Sequence, residues 1–175
     1  MKKKVIFRSG SLRMGGLERV LIEVLQTIDK EKFDIYLVID DDCGKENIFE
    51  KDIPKDIPYF FLKPEKLIRE TEKYKEKKKN IFYKLMYNLM MEKENKVMYR
   101  NMQKILKDIG KIDVIVDFDA GASKYIEKLD IKKKIVWIHN SIPNLKKKEG
   151  KIKRFGKRLE KYDRVVAICD EMKEE

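Results

Sequence analysis

Residues 9–25, SGSLRMGGLERVLIEVL, place a glycine-containing loop between two apolar segments that differ in their periodicity. Before the loop, Val5 to Phe7 form a continuous apolar run, which is typical of a short buried strand. After the loop, apolar residues recur at helical spacing from Leu17 to Ile28, which predicts a helix with one buried face. A strand, a glycine loop and a helix in succession indicate the first unit of an α/β fold.

The same alternation continues along the rest of the chain, without a Gly/Ser-rich linker that would divide it. The strand segments are mostly continuous apolar runs, which is typical of a parallel sheet buried on both faces. We therefore predict a single α/β domain over residues 1–175, a Rossmann-like, doubly wound, mainly parallel sheet with helices on both faces. Further strands are predicted at 33–39, 58–62, 113–118, 135–138 and 165–168, with a short helix at 123–129 and a basic helix at about 151–161.

Residues 64–109 are rich in charge but keep pairs of apolar residues at helical spacing. We predict two helices there, one over about 81–90 and, after a polar break, one over about 97–109 that Gly110 ends. The first has Met and aromatic residues on its apolar face and lysines around them. Because lysines are attracted to anionic lipid, we hypothesise a peripheral contact with an anionic membrane surface through residues 66–93.

The composition leaves two interpretations of the charge open. The chain has 175 residues, of which 42% are hydrophobic and 42% charged, with a net charge of +11. This excess is typical either of a lysine-rich solvated surface or of a non-enzymatic basic domain that binds nucleic acid or another polyanion. Cys43 and Cys169 are too far apart in sequence to suggest a disulfide framework. We expect a cytoplasmic protein, at most peripheral at the inner face of the cell membrane.

Residues 9–25 can be compared with three kinds of phosphate-binding loop. A Walker-type loop needs a lysine and a hydroxyl after its second glycine, but Gly16 and Leu17 follow Gly15. A dinucleotide fingerprint would have a shorter loop, although an acid at 40–42 stands about where the ribose-binding acid would be. The third possibility is that bare amides at the start of the helix bind a phosphate or diphosphate without a metal. A turn that simply requires positive φ at the glycines is the structural alternative.

Three segments resemble retaining glycosyltransferases of family 4, which have the GT-B fold. These are GGLERVLIEVLQTIDKEKFDIYLVI at 15–39, IVWIHNSI at 135–142 and YDRVVAICDEM at 162–172, in the family's order along the chain. The family often has Ser where this chain has Cys169. The resemblance implies an acceptor-side N-terminal domain, with a donor-binding C-terminal domain absent from this sequence.

The resemblance also implies roles for particular residues. Gly15 and Gly16 match the glycines whose backbone faces the donor diphosphate, and His139 matches a histidine that contacts the transferred sugar near the leaving phosphate. The implied reaction moves a sugar from a nucleotide-sugar donor to a glycan or lipid-linked acceptor with retention, in bacterial surface-polysaccharide or glycolipid synthesis, without metal or cofactor. The chain alone is expected to be inactive, because the catalytic cleft in such enzymes lies between two domains.

Acceptor-binding residues are predicted from their position in the sheet. Ligands of doubly wound sheets bind outside the carboxyl ends of the strands, which points to the loops at 9–16, 118–122 and 139–145. There we select Arg13 and Asp119 for charged contacts, and Asn140 and Ser141 as hydrogen-bonding groups. Asp117 and Asp119 flank the end of the predicted fourth strand, and Asp119 is the one we select to face the cleft.

Overall fold

The computed structural model describes residues 1–122, 125–140 and 149–174 and shows an α/β fold. Its strands and helices alternate along the chain nearly as the apolar periodicity predicts. In chain order they are β1 (Lys3–Ser9), α1 (Gly16–Thr27), β2 (Phe33–Asp41), β3 (Tyr59–Lys63), α2 (Glu65–Glu76), α3 (Ile81–Ile109), β4 (Val114–Asp117), β5 (Lys133–Ile138), α4 (Glu149–Leu159), β6 (Arg164–Ala167) and α5 (Asp170–Glu174).

All six strands form one parallel sheet in the order β3-β2-β1-β4-β5-β6. The predicted Rossmann-like fold class is confirmed. Successive residues of β1 face opposite sides of the sheet: Val5 and Phe7 pack in a cluster with Leu21 and Leu25 of α1, and Ile6 packs in a cluster with residues of α3. The strand order reverses between β1 and β4, and their carboxyl ends mark the topological switch point where such sheets bind ligands.

The helical region before β4 differs from the prediction. The predicted break between two helices is wrong, because α3 runs unbroken from Ile81 to Ile109, while a separate helix, α2, precedes it. Residues 91–96, MEKENK, contain mostly good helix formers and neither Gly nor Pro, so polarity alone does not interrupt the backbone. Gly110 ends α3 as predicted, with φ at 83°.

The short helix predicted at 123–129 is reduced to a single 3₁₀ turn over Ile126–Lys128. The first residues of that prediction, 123 and 124, lie outside the described residues. The basic helix predicted at 151–161 is confirmed as α4, within two residues at each end.

The first half of α3 extends beyond the sheet. Nζ of Lys63, the last residue of β3, donates a hydrogen bond to Oε2 of Glu94 in α3 at 3.0 Å. This contact places position 94 at the level of the carboxyl ends of the strands. At 1.5 Å per residue, the thirteen residues back to Ile81 project about 20 Å past that edge. Because α2 packs antiparallel beside this part of α3, the two helices form a protruding hairpin. We call residues 66–93 the arm.

Candidate functional site

The carboxyl edge of the sheet is organised around one buried arginine, Arg8, near the end of β1. Its side chain is 2% exposed, and its guanidinium contacts three carboxylates. Nε donates to Asp40 Oδ1 at 2.9 Å and Nη2 donates to Asp40 Oδ2, while Nη1 donates to Asp117 Oδ1 at 2.9 Å and to Asp119 Oδ1. We call these four residues the Arg8 clamp. Because Asp40 lies one residue before the end of β2 and Asp117 ends β4, the clamp ties together three adjacent strands.

The clamp holds more carboxylates than cations. Burial raises the pKa of Asp40 and that of Asp117, against the attraction of Arg8. Asp117 Oδ2 also accepts hydrogen bonds from the hydroxyl of Tyr162 and, at 2.9 Å, from the backbone N–H of Ala122. These donors stabilise a buried carboxylate that one shared guanidinium would leave incompletely compensated.

Asp119 is the clamp residue that reaches solvent, with 24% of its side chain exposed. Its Oδ2 accepts from the backbone N–H of Gly10 at 2.7 Å, and its Oδ1 accepts from the backbone N–H of Gly121 at 2.9 Å. The carboxylate therefore joins the loop after β1 to the loop after β4. It remains our predicted acceptor contact, but within the described residues its oxygens already have donors.

The acids at the end of β2 are engaged within the protein. Asp40 belongs to the clamp, Asp41 forms an ion pair with Lys63 at 2.5 Å, and Asp42 accepts from the backbone N–H of Gly44 at 3.0 Å. A dinucleotide site needs one such acid free for a ribose hydroxyl. Their engagement argues against the dinucleotide interpretation of the first loop.

A cavity of about 250 Å³ lies directly beside the clamp. The start of α1, the loop after β4 and the loop after β5 meet there, as expected for three loops at the carboxyl edge of one sheet. Ala120, in its wall, adopts φ of 58°, a left-handed conformation that costs an alanine about 1 kcal/mol. The residues that line the cavity are Leu17, Asp119, Ala120, Gly121, Trp137, Ile138, His139, Asn140 and Phe155.

Gly15 and Gly16 lie at the N-terminus of α1, next to the cavity-lining Leu17. Gly15 is the N-cap with φ of −175°, and neither glycine has positive φ, so a positive-φ turn does not explain the pair. A Cβ at Gly16 would meet no atom within 4 Å, and one at Gly15 would meet only the end of the Glu18 side chain. Within the described residues, no side chain caps the amides that begin this helix. Gly16 therefore leaves the backbone open to a ligand, whereas the carboxylate of Glu18 lies against Gly15 and would have to move for an anion to approach there.

His139 follows β5 and lines the cavity. Its ring lies 4.6 Å from the ring of Phe118 and 5.9 Å from that of Trp137, measured between centroids. Burial lowers the pKa of the imidazole, although a hydrogen bond to the backbone of Phe118 and the charge of Asp119 raise it in part. Among the described residues Nε2 has no hydrogen-bond partner.

The remaining predicted site residues differ in whether they line the cavity. Asn140 is exposed and lines the cavity, whereas Ser141 lies outside the described residues. Arg13 is not among the lining residues; its Nε lies 3.1 Å from Glu46, and its guanidinium lies 3.9 Å from Glu72 of α2. Arg13 thus connects the first loop to the base of the arm, and its contact with an acceptor stays a prediction.

Sequence reasoning missed the clamp, although one signal for it was present. Arg8 interrupts the first apolar run, VIFRS, where an unpaired charge would be buried at high cost. Asp40 directly follows one predicted strand and Asp117 lies near the end of another, so a charge at the same edge could have been paired with them. Tyr162, which precedes β6, carries no comparable signal.

The fold and the cavity define an α/β domain with its candidate site at the carboxyl edge of a doubly wound sheet. No family model and no curated protein matches the chain. Among solved structures, a lipopolysaccharide outer core galactosyltransferase, WaaB in its apo form, is similar in fold at a TM-score of 0.60 and 17% identity. That likeness covers 98% of this chain and 41% of the galactosyltransferase.

A second similar structure is that of Phytolacca americana UGT2 complexed with UDP-2fluoro-glucose and pterostilbene. It has 11% identity and a TM-score of 0.47, with 82% of this chain and 31% of that chain covered. This chain therefore spans less than half the length of either protein.

Proposed function

We propose that this chain is the acceptor-side domain of a family 4 retaining glycosyltransferase with the GT-B fold. The reaction would transfer a hexosyl group from a nucleotide-sugar to a glycan or lipid-linked acceptor in bacterial surface-polysaccharide or glycolipid synthesis. The proposal rests on the cavity at the topological switch point of the sheet. The N-terminus of α1, with its backbone N–H groups, and the imidazole of His139 both border this cavity. The likeness of nearly the whole chain to part of a galactosyltransferase supports it.

The groups in and around the cavity suit a sugar joined to a diphosphate. The N-terminus of α1 offers unpaired N–H groups and partial positive charge, which stabilise the negative charge that develops on a leaving diphosphate. Gly16 lets phosphate oxygens approach the backbone closely, and Gly15 would do so once the carboxylate of Glu18 swings away from it. In this proposal His139 contacts the transferred sugar, Asn140 and Asp119 face the acceptor, and a donor-binding domain outside this sequence completes the cleft.

The proposal is tested with a protein extended to the end of its reading frame, assayed for release of nucleoside diphosphate from a panel of nucleotide-sugars. We expect release with at least one donor, and a loss of turnover of about 100-fold in His139→Ala, the size of effect that a misplaced substrate produces. Arg19→Ala is the control, because that side chain is exposed and pairs only with Glu23 within the described residues. Absence of release with every donor would contradict the proposal.

We further propose that the arm binds an anionic membrane surface, which would bring the carboxyl edge near a lipid-linked acceptor. Four apolar side chains at its end are exposed: Ile81 by 85%, Phe82 by 61%, Leu85 by 57% and Leu89 by 51%. The turn between the two helices, residues 77–80, reads KKKN and adds a cluster of exposed lysines. Apolar side chains beside lysines suit the headgroup boundary of an anionic bilayer. Among the described residues, no helix has the length and apolarity needed to cross a membrane.

Flotation with liposomes tests the contact. The chain is expected to float with vesicles that contain anionic lipid and to stay in solution with purely zwitterionic vesicles. Leu85→Asp should abolish flotation, whereas Val20→Asp, a change at a 39% exposed apolar residue on α1, should not. Equal flotation of the two variants, or none of the wild type at moderate salt, would refute the membrane contact.

A further inference from the structure

The excess of positive charge lies mainly on one face of the sheet. The two faces are covered by different elements: α3 and α4 share a core cluster with Ile6 and Ile115, whereas α1 and the loop at 42–58 pack in the cluster of Val5 and Phe7. α4 has five cations and one acid, but α1 has one cation and two acids, and residues 42–58 have three cations and five acids. A lysine-rich composition alone would not sort the charges in this way.

The cations of α3 and α4 form two exposed rows. In α3 they recur every three or four residues, so they share one side of the helix and lie about 4.5–6 Å apart along its axis. These residues are Lys96, Arg100, Lys104 and Lys107. In α4 the exposed cations are Lys151, Lys153, Arg154 and Lys157. We call these eight residues the cationic face. Within the described residues, none of the eight forms an ion pair.

The helix dipole does not explain these rows. A cation in the last turn of a helix is favoured by the partial negative charge there, and Lys107 of α3 is such a residue. Lys151, however, lies in the first turn of α4, where the partial positive charge disfavours it. Lys96 and Arg100 lie in the middle of α3, beyond the reach of either end. Unpaired cations at such positions suit an anionic partner.

We infer that the cationic face binds an anionic polysaccharide, whose charged groups lie along the rows of α3 and α4. A groove of about 640 Å³ runs beside the row of α3 and is bordered by Arg100, Lys104 and Lys107 together with Lys111. Its volume is within the range of pockets that hold small ligands, so it has room for a charged sugar unit. Phe155 of α4 lines the candidate site, so the second row lies next to that cavity.

The cationic face lacks the groups that other polyanions need. In residues 95–111 and 149–161 no large apolar side chain is exposed, so this surface has nothing to insert into a bilayer, in contrast to the arm. The same two segments have no exposed aromatic ring on which the bases of a single-stranded nucleic acid would stack. A glycan with charges along its chain needs neither. The inference rests on the proposed function only in naming the polymer as a glycan.

Fluorescence anisotropy with a labelled oligogalacturonate, in which every sugar carries a carboxylate, tests the inference on the 175-residue chain. We expect binding that weakens as the salt concentration rises, and no binding of neutral dextran. Lys153→Gln together with Lys157→Gln should lower the affinity about tenfold or more, and glutamine has nearly the helix propensity of lysine. The matched control is Lys51→Gln together with Lys55→Gln, two exposed lysines on the opposite face, which should change the affinity less than roughly twofold.

Four outcomes would overturn the inference. The first is no binding of the oligogalacturonate at low salt, and the second is an equal loss of affinity in the two double variants. The third is tighter binding of a single-stranded DNA with the same number of charges. The fourth is that Lys153→Gln with Lys157→Gln weakens binding to anionic vesicles but not to the glycan. None of these readouts depends on sugar transfer, so failure of the inference and failure of the proposed function are separable.

Discussion

Replacing Arg8 with methionine tests how much of the stability depends on the clamp. Methionine nearly preserves the length of the side chain but removes the only cation that contacts Asp40, Asp117 and Asp119 within the described residues. Removing one partner of a buried ion pair typically costs about 3–5 kcal/mol, because a buried charge is left uncompensated. A domain is stable by only about 5–15 kcal/mol, so this loss would be a large share of the free energy of unfolding.

The loss is expected to depend on pH in a definite direction. In the native protein burial raises the pKa of Asp40 and of Asp117 above their ordinary value. A carboxyl group with a raised native pKa binds its proton more tightly when folded, so it stabilises the fold at low pH and loses that contribution as the pH rises through the native pKa. Without the guanidinium both pKa values rise further. Arg8→Met should therefore lose most stability near pH 7.5 and less near pH 5.5.

Urea denaturation followed by circular dichroism at those two pH values measures both effects. Arg19→Met is the matched control: its guanidinium is exposed and pairs with Glu23 on the same helix, so a change within about 0.5 kcal/mol is expected. If Arg8→Met is too unstable to purify, Asp119→Asn replaces a partly exposed member of the clamp, with an expected loss of about 1–2 kcal/mol. Equal effects of Arg8→Met and Arg19→Met, or a loss that grows as the pH falls, would refute the reasoning.

Three further outcomes follow from local geometry. Gly121→Ala should lower the free energy of unfolding by about 1–3 kcal/mol, measured by thermal denaturation, because its Cβ would lie 2.2 Å from a guanidinium nitrogen of the clamp. Gly156→Ala, where a Cβ within α4 would meet open space, should raise it by up to about 1 kcal/mol. Cys169 is exposed and should react with a thiol reagent within minutes, whereas Cys43, whose thiol pKa is raised by burial, should react only on unfolding; equal rates would contradict this. Asn80→Ala removes the oxygen that caps α3 at 2.9 Å, so hydrogen exchange in the arm should quicken by roughly 2- to 30-fold, and an unchanged rate would refute the cap.

The sheet could be predicted from sequence because each strand is a local apolar run. Val5 to Phe7 and Ile135 to Ile138 are buried or half-buried in the structure, and their order fixes a parallel arrangement with few alternatives. The continuity of α3 is not predicted from sequence, because a polar segment does not by itself break a helix. Residues 91–96 have good helix propensity, and Glu94 among them is buried in an ion pair with Lys63, so their polarity says nothing about their backbone.

The candidate site was predictable in outline and not in its chemistry. Topology alone brings the loops after β1, β4 and β5 to one edge, so His139 and Asn140 could be expected near the start of α1. The pairing of Arg8 with Asp117 could not, because it joins residues 109 positions apart and depends on strand order. Nor could sequence separate Asn140, which lines the cavity, from Arg13, whose charge is engaged by Glu46 and Glu72.

The position of β1 in the centre of the sheet has a consequence for synthesis on the ribosome. β1 pairs with β2 on one side, but on its other side it pairs with β4, which is made more than a hundred residues later. At roughly 5–20 residues per second, the nascent chain carries an open strand edge for about 5–20 seconds. During that interval Arg8 has Asp40 as its available clamp partner, and the lysine-rich arm is translated before the edge can close. Unpaired strand edges pair readily with other chains. The yield of folded domain should therefore fall when many copies of the chain are synthesised close together.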